Sequence, residues 1–196
     1  MINDEILLKV RKFAYDNSEK NDIHGFEHVE RVLKSSSEIG TALNANLLVI
    51  KIAALLHDVG RYLRKDDEVK NHAEISAEIA ENFIIKNNFN ITIEDVENIL
   101  HCIRAHSFSN DLEPKTLEAK ILSDADKLDA IGAIGLYRTI GFTIKNYGGI
   151  EQVIHHLENK ILGLNDRLYL DESKKIAEQR QKIIVDFYTK IKNQIN

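Results

Sequence analysis

The chain has 196 residues, and at roughly 150 residues per domain this length predicts one domain with room for a small extra element. Hydrophobic residues make up 43% and charged residues 29% of the chain, a balance that excludes intrinsic disorder. The formal net charge of −5 argues against non-specific binding to nucleic acid, which needs a basic face.

One proline and nine glycines are few helix breakers for this length, which favours a mostly helical chain. Apolar residues at helical spacing predict five helices in the first half, at residues 3–16, 24–40, 47–56, 72–86 and 92–103. The third is apolar on nearly all sides and is expected to form the buried centre, with Asn44-Ala45-Asn46 supplying its cap. Thr92 and Asp95 resemble a capping box at the start of the fifth. The charged segment 61–71 is expected to be a loop.

The second half of the chain predicts four further helices, at residues 115–127, 130–146, 150–162 and 173–195. Residues 107–114 are expected to be a loop, and Gly148-Gly149 interrupts the helical pattern. Strand-like alternation does not extend beyond residues 90–93, and neither a fixed-period repeat nor a linker is present. The sequence therefore predicts a single all-α domain of eight to nine helices over residues 1–196.

The sequence predicts neither a membrane protein nor a secreted one. Its longest apolar runs are broken by Lys51, Arg138 and Lys145, far short of the roughly 18 residues of a membrane span. The chain starts with acidic rather than basic residues, unlike a signal peptide. Cys102 is the only cysteine, so neither an intramolecular disulfide nor a cysteine zinc site is expected. These features predict a cytoplasmic location.

The dipeptide His57-Asp58 directly follows the apolar third helix, so both side chains are expected at the edge of the core. A carboxylate in that position needs a partner, because burying an unpaired charge costs free energy. A divalent cation is the simplest partner when an imidazole is adjacent.

Asp124, Asp126 and Asp129 lie within six residues among small and apolar neighbours. On a helix, Asp126 and Asp129 share one face with Leu122 and Ala133, so Asp126 is expected to face inward. Asp124 is expected to be a solvated or capping carboxylate. Asp129 is a candidate for binding a positive group or orienting a ligand.

The order of these residues resembles the HD-domain metal-dependent phosphohydrolase superfamily: His28 in the segment 24–32, then His57-Asp58, then Asp126 in the segment 124–129. The matching region runs from about residue 20 to 140. The segment 124–135 is similar to small stand-alone HD hydrolases, some of which act on nucleotides. The resemblance implies a compact all-α bundle of the HD type, with helices at about 150–195 packing on the motif region. It also implies one divalent metal held by His28, His57, Asp58 and Asp126.

Two imidazoles and two carboxylates suit Mn, Fe, Co, Ni, Zn or Mg to different degrees, and mixed nitrogen and oxygen ligation favours a transition metal. The resemblance implies that a metal-activated water cleaves a phosphate or pyrophosphate bond in a nucleotide or another small phosphorylated metabolite. Three cations next to motif residues are candidates for phosphate binding, namely Arg61, Arg104 and Lys127. Taken singly, each is expected more often as a surface cation.

The remaining histidines divide into three sets. Some HD proteins use extra histidines to hold a second metal or to contact substrate, and His72, His101 and His106 are the candidates here. His24 and Asp129 are candidates for orienting the metal ligands, although a capping or surface role is favoured for His24. His155-His156 lies outside the matching region and is expected at the surface.

Two alternatives stay open at this point. One is a di-iron HD-type oxygenase, which uses the same four ligands together with extra histidines. The other is a non-catalytic HD module that binds a metal or nucleotide without turnover. The expected partner is a small phosphorylated substrate rather than nucleic acid or membrane, and a homodimer through the last helix stays open. After His57-Asp58 no carboxylate occurs before Asp66, so no catalytic acid is assigned.

Overall fold

The computed structural model describes residues 2–62, 71–107 and 112–195. All regular secondary structure in these ranges is helical, which confirms the all-α fold class. The α-helices are α1 (Ile2–Asp16), α2 (Phe26–Ala42), α3 (Leu47–Leu56), α4 (His72–Asn87), α5 (Ile93–His106), α6 (Leu117–Asp129), α7 (Ala133–Lys145), α8 (Ile150–His156) and α9 (Asp171–Ile195). A π-helical turn, Leu157–Ile161, extends α8, and a 3-10 turn, Asn165–Arg167, precedes α9.

The chain divides into two compact units, 1–123 and 124–196, and the boundary falls inside α6. The single domain expected from the sequence stays a prediction. The two expected loops lie partly outside the described residues, and their described parts, 61–62, 71, 107 and 112–114, are not helical. No helix in the described ranges combines the length and the apolar composition needed to cross a membrane.

Helix α3 is the centre of the first unit, as the sequence predicts. Seven of its ten residues are buried, and α1, α2, α4 and α5 all pack against it. A helix that is apolar on nearly all sides is stable only when it is surrounded in this way. The residues at its C-terminal end, His57 and Asp58, are themselves buried, at the point where the other helices meet it.

Asn46 is the N-cap of α3. Its Oδ1 accepts hydrogen bonds from the main-chain N–H groups of Leu48 and Val49, and its Nδ2 donates to Asp95. We expect Asn46→Ala to lower the free energy of unfolding by about 1–2 kcal/mol, since it leaves N–H groups of the first turn without an acceptor. Urea denaturation measures this loss. As a control, Asn87→Ala at the exposed end of α4 should change it by less than about 0.5 kcal/mol, and equal losses would show that the cap is not the cause.

Helix α2 continues through Gly40, although the sequence predicts its end there. A Cβ at Gly40 would lie 2.6 Å from Cδ1 of Ile50. The glycine therefore permits close packing of α2 on α3 and does not terminate the helix. The predicted start at His24 is also early, because Gly25 is the N-cap.

The other helix ends differ from prediction by a few residues, each for a local reason. Helix α5 extends three residues further, to His106, whose Nδ1 lies 2.6 Å from the Ile103 carbonyl. Helix α6 begins at Leu117 because the Thr116 hydroxyl accepts a hydrogen bond from the N–H of Ala119. Gly132, with φ of +92°, separates α6 from α7 where the sequence predicts a start at residue 130.

In the second unit, α7 packs against α8 and α9. Asp124 is fully buried and accepts hydrogen bonds from the main-chain N–H groups of Tyr169 and Leu170, immediately before α9. The expectation of a solvated carboxylate is therefore wrong, and that of a helix cap is not met, because both N–H groups precede the first residue of α9. Burial raises the pKa of Asp124, although these two N–H donors oppose the effect.

Candidate metal centre

Four helix ends of the first unit bring the candidate ligands together. His28 lies in the first turn of α2, His57 and Asp58 follow the last residue of α3, His72 begins α4 and His106 ends α5. The four imidazole rings form a row in the spatial order 28, 57, 106 and 72, with neighbouring ring centroids 4.8–5.4 Å apart. His28, His57, Asp58 and His106 are almost fully buried, and His72 is slightly more exposed.

A first group consists of His28, His57 and Asp58. The Nε2 atoms of the two imidazoles are 3.4 Å apart, and they lie 3.9 and 3.7 Å from Oδ2 of Asp58. One ligand atom from each residue lies within 4.8 Å of the others. Three metal-ligating atoms therefore converge at one point.

Asp58 also belongs to a second group. Its other oxygen, Oδ1, faces Nε2 of His72 at 3.5 Å and Nε2 of His106 at 3.6 Å. Although Oδ1 is buried, it accepts no hydrogen bond from the part of the chain that the structure describes. A buried carboxylate oxygen without a donor is costly, which indicates that a positive group belongs beside it.

Main-chain carbonyls determine the tautomers of two imidazoles. His57 Nδ1 lies 2.7 Å from the Ala54 carbonyl, and His106 Nδ1 makes the corresponding contact with Ile103. Because a carbonyl oxygen only accepts, each Nδ1 carries the proton. In the neutral rings the Nε2 lone pairs therefore point into the two groups, and this is the tautomer that a metal ligand requires.

Asp58 is held as a carboxylate. Burial by itself would raise its pKa, but the Arg61 guanidinium beside it holds that pKa well below its usual value. Nε of Arg61 donates to Oδ2 of Asp58 at 2.7 Å. An ionised carboxylate and converging neutral imidazoles form a donor set that fits a divalent transition metal.

The turn after Asp58 is held closely against α4. The N–H of Gly60 donates to the Ser76 hydroxyl at 3.0 Å, and a Cβ on Gly60 would lie 2.6 Å from the main-chain nitrogen of Ser76. The sequence analysis missed Ser76 as a positioning residue. Its spacing of four residues from His72, which places both on one helix face, is the signal that could have indicated it.

With this geometry established, comparison with known proteins identifies the family. The family model of the HD domain matches residues 25–131, which is more than half of the chain. The chain belongs to the HD-domain family. The matched span contains His28, His57, Asp58, His72 and His106, so both groups lie within the HD domain.

Similar proteins match this chain over nearly its whole length. The chain is 28% identical to the uncharacterized protein YpgQ of Bacillus subtilis over 98% of its own length and 93% of YpgQ. The crystal structure of YpgQ in complex with ADP matches with a TM-score of 0.80 and 25% identity, over 99% of this chain and 97% of that one. A "predicted HD superfamily hydrolase" from an uncultured Thermotogales bacterium matches with a TM-score of 0.70 and 26% identity, over 96% and 92%. The predicted resemblance to small HD hydrolases is confirmed.

Ribonuclease Y of Treponema denticola is also similar in sequence, with 29% identity over 127 residues. The similarity covers 65% of this chain and only 22% of ribonuclease Y. Together, the family and the cluster support an HD-superfamily hydrolase with residues that can hold a divalent metal.

Besides Arg61, three candidates in the first unit of the HD protein lie outside both groups. His101 Nε2 accepts a hydrogen bond from the main chain of Lys115 at 2.9 Å, and burial lowers its pKa. Arg104 pairs with Glu74 at 3.1 Å. The main-chain carbonyl of His24 accepts from the Tyr62 hydroxyl, which connects the turn after Asp58 to the residues before α2. Their roles toward metal or phosphate stay predictions.

The second unit contains the remaining candidates of the HD motif. Asp126 is partly exposed, so the expectation that it faces inward holds only in part. Lys127 is buried, which corrects its assignment as a surface cation, and its Nζ lies 5.1 Å from the centre of the Tyr169 ring. Asp129 is buried and forms an ion pair of 2.7 Å with Arg138, a partner that the sequence analysis did not identify.

The two adjacent histidines of α8 differ in environment. His155 is exposed, as expected, and Asn159 lies beside its ring. His156 is half-buried, with its ring centroid 5.9 Å from that of Phe142, so the expectation of a surface residue holds only in part for it. Neither residue belongs to a metal-ligating group in the described ranges.

Proposed function

We propose that this protein is a metal-dependent phosphohydrolase that cleaves a phosphate or pyrophosphate bond in a nucleotide or another small phosphorylated metabolite. One observation carries the proposal: Asp58 is a buried carboxylate whose two oxygens each face a pair of imidazole Nε2 atoms. Arg61 pairs with Oδ2, but Oδ1 accepts no hydrogen bond from the described residues, and a divalent cation beside it would make its burial favourable.

His28, His57 and Asp58 would hold the metal, and Asp126 is proposed as the fourth ligand on the resemblance of its motif alone. Asp58, His72 and His106 would hold a second ion. The imidazole content of both groups favours Mn, Fe, Co, Ni or Zn over Mg. The hydrogen bonds from Nδ1 of His57 and His106 to main-chain carbonyls would keep the ligand rings in place.

Different residues of this chain would retain the cation and bind the phosphate. A bound divalent cation polarises phosphoryl oxygens and makes water a better nucleophile at neutral pH. Asp58 and the imidazoles keep that region anionic or neutral, so the cation is retained there. Arg61, at the same turn, offers donors suited to a phosphate oxygen. Lys127 and Arg104 stay candidates for phosphate binding.

A nucleotide is the favoured substrate class. YpgQ, which matches this chain over nearly its whole length, has been crystallised with ADP. The formal net charge of −5 is unfavourable for a long polyanion such as RNA but not for a small phosphate ester next to a metal. No nucleic-acid or membrane partner is therefore proposed.

Metal analysis combined with a substrate panel tests this proposal. The purified protein is stripped with a chelator, reloaded with Mn²⁺, Fe²⁺, Zn²⁺ or Mg²⁺, and incubated with nucleoside mono-, di- and triphosphates and a short oligoribonucleotide. We expect metal-dependent release of phosphate or pyrophosphate from a nucleotide, with the stripped protein inactive. Cleavage of the oligoribonucleotide alone would contradict the substrate class, and an absence of turnover with full metal loading would favour a binding module.

The second group also keeps the di-iron oxygenase as an alternative, because that enzyme class uses extra histidines in addition to the four shared ligands. His72 and His106 supply them here. Two irons per chain, a mixed-valence electron paramagnetic resonance signal and no phosphate release would favour the oxygenase.

A further inference from the structure

The side chain of Arg61 contacts ligand atoms of both groups. Its main-chain N–H donates to the Asp58 carbonyl at 3.0 Å, so the residue is part of the turn that carries Asp58. Its Nε donates to Oδ2 of Asp58 at 2.7 Å, and its Nη2 lies 3.4 Å from Nε2 of His72. Oδ2 is the oxygen that faces His28 and His57, so one guanidinium touches an atom from each group.

These contacts conflict with metal binding. Because arginine only donates hydrogen bonds, Nε2 of His72 must be the acceptor in its contact with Arg61. A neutral imidazole has one lone pair at that nitrogen, and the lone pair cannot serve both a guanidinium and a metal. A guanidinium next to a divalent cation would also be repelled, and the burial of His57 and Asp58 leaves that repulsion poorly screened.

We infer that Arg61 exchanges partners when a divalent cation binds: it releases Asp58 and His72 to the metal and turns its guanidinium to a phosphoryl oxygen of the substrate. The side chain is able to move because 31% of it is exposed, whereas Asp58 is only 2% exposed. In the absence of a cation, Arg61 neutralises the buried carboxylate. This inference rests on the proposed phosphohydrolase function and adds to it a coupling between metal and phosphate.

The exchange makes two binding equilibria depend on each other. A cation must displace Arg61 before it can use Oδ2 and His72, so Arg61 weakens metal binding. Once displaced, Arg61 strengthens the binding of phosphate. By thermodynamic linkage, phosphate then strengthens metal binding by the same factor.

The test measures the binding of Mn²⁺ and the binding of inorganic phosphate separately. Binding of Mn²⁺ alone, followed by the electron paramagnetic resonance signal of the free ion, should be tighter by about tenfold in Arg61→Gln, since a charged competitor is lost. It should also be tighter in Arg61→Lys, because one ammonium keeps the charge but cannot span Asp58 and His72. Phosphate affinity of the Mn²⁺-loaded protein, measured by calorimetry, should fall by about tenfold or more in Arg61→Gln, with no change in the metal-free protein.

Arg11→Gln is the matched control, because its Nε makes a similar 2.8 Å contact with a carboxylate, that of Glu30, outside both groups. It should bind Mn²⁺ and phosphate like the unaltered protein. Unchanged or weaker Mn²⁺ binding in Arg61→Gln, wild-type Mn²⁺ binding in Arg61→Lys, or unchanged phosphate affinity would each overturn the exchange. Failure of the unaltered protein to bind Mn²⁺ would overturn the metal centre itself, whereas Mn²⁺ binding without turnover leaves the exchange fully testable.

Discussion

Asp58→Ala is expected to remove the metal and the hydrolytic activity while leaving the helical content nearly intact. Asp58 contributes an oxygen to each ligand group, so its loss weakens both at once. We expect metal affinity to fall by more than about a hundredfold, since even the loss of a residue behind a ligand costs 10–100-fold. Hydrolysis should fall by about a thousandfold or more. Elemental analysis, circular dichroism and phosphate release measure the three quantities.

Asp58→Asn separates the loss of charge from the loss of volume. The amide keeps the shape of the side chain, so the fold is preserved, but a neutral oxygen is a poorer ligand. It should therefore lose metal about as completely as the alanine variant. His155→Ala is the control, since this histidine is exposed and lies in neither group. Full metal stoichiometry in either Asp58 variant would show that the proposed ligand set is wrong.

Arg138→Met is expected to lower the free energy of unfolding by about 3–5 kcal/mol, because it removes the guanidinium that pairs with the buried carboxylate of Asp129. The pair is 2.7 Å long, and its side chains are only 10% and 7% exposed. Asp129→Leu should have a similar cost. Combining Arg138→Met with Asp129→Leu should recover most of the stability, since apolar residues of similar volume avoid the unpaired charge. Urea denaturation measures each variant.

Metal affinity distinguishes a structural role for Asp129 from a role in orienting ligands. If the pair only stabilises the second unit, Arg138→Met binds Mn²⁺ as the unaltered protein does. A loss of Mn²⁺ affinity without a loss of stability would instead support Asp129 as a ligand-orienting residue. Lys190→Met provides the comparison, because its 2.8 Å pair with Asp186 is exposed and its removal should leave stability nearly unchanged.

The helices were predictable because their signals are local. The spacing of apolar residues indicated each helix, and the cap at Asn46 agreed with the apolar pattern that follows it. Their ends were less predictable. Gly40 was taken for a helix end, but it lies inside α2, where its missing Cβ makes room for Ile50 of α3. That reason is a contact between two helices, and it cannot be inferred from either sequence segment alone.

The order of residues in the sequence was sufficient to predict candidate metal ligands, because His57 and Asp58 are adjacent and follow an apolar helix. Among the extra histidines, order could not separate His72 and His106 from His101. All three lie at or near the helix ends that the sequence predicts, yet only the first two face Asp58 Oδ1, while His101 contacts the main chain of Lys115. The direction of a side chain depends on how its helix packs, and packing joins residues far apart in the chain.

By itself, then, the sequence determined an all-α chain of the HD family and the residue types that can bind a metal. Both depend on local periodicity and on a short ordered motif. Only the tertiary structure decided that Asp58 serves two groups and that Arg61 occupies atoms of both. It also decided that Asp129 pairs with Arg138. The physical reason is that a buried charge takes whichever partner the packed helices bring within about 3–4 Å, and packing alone sets that distance.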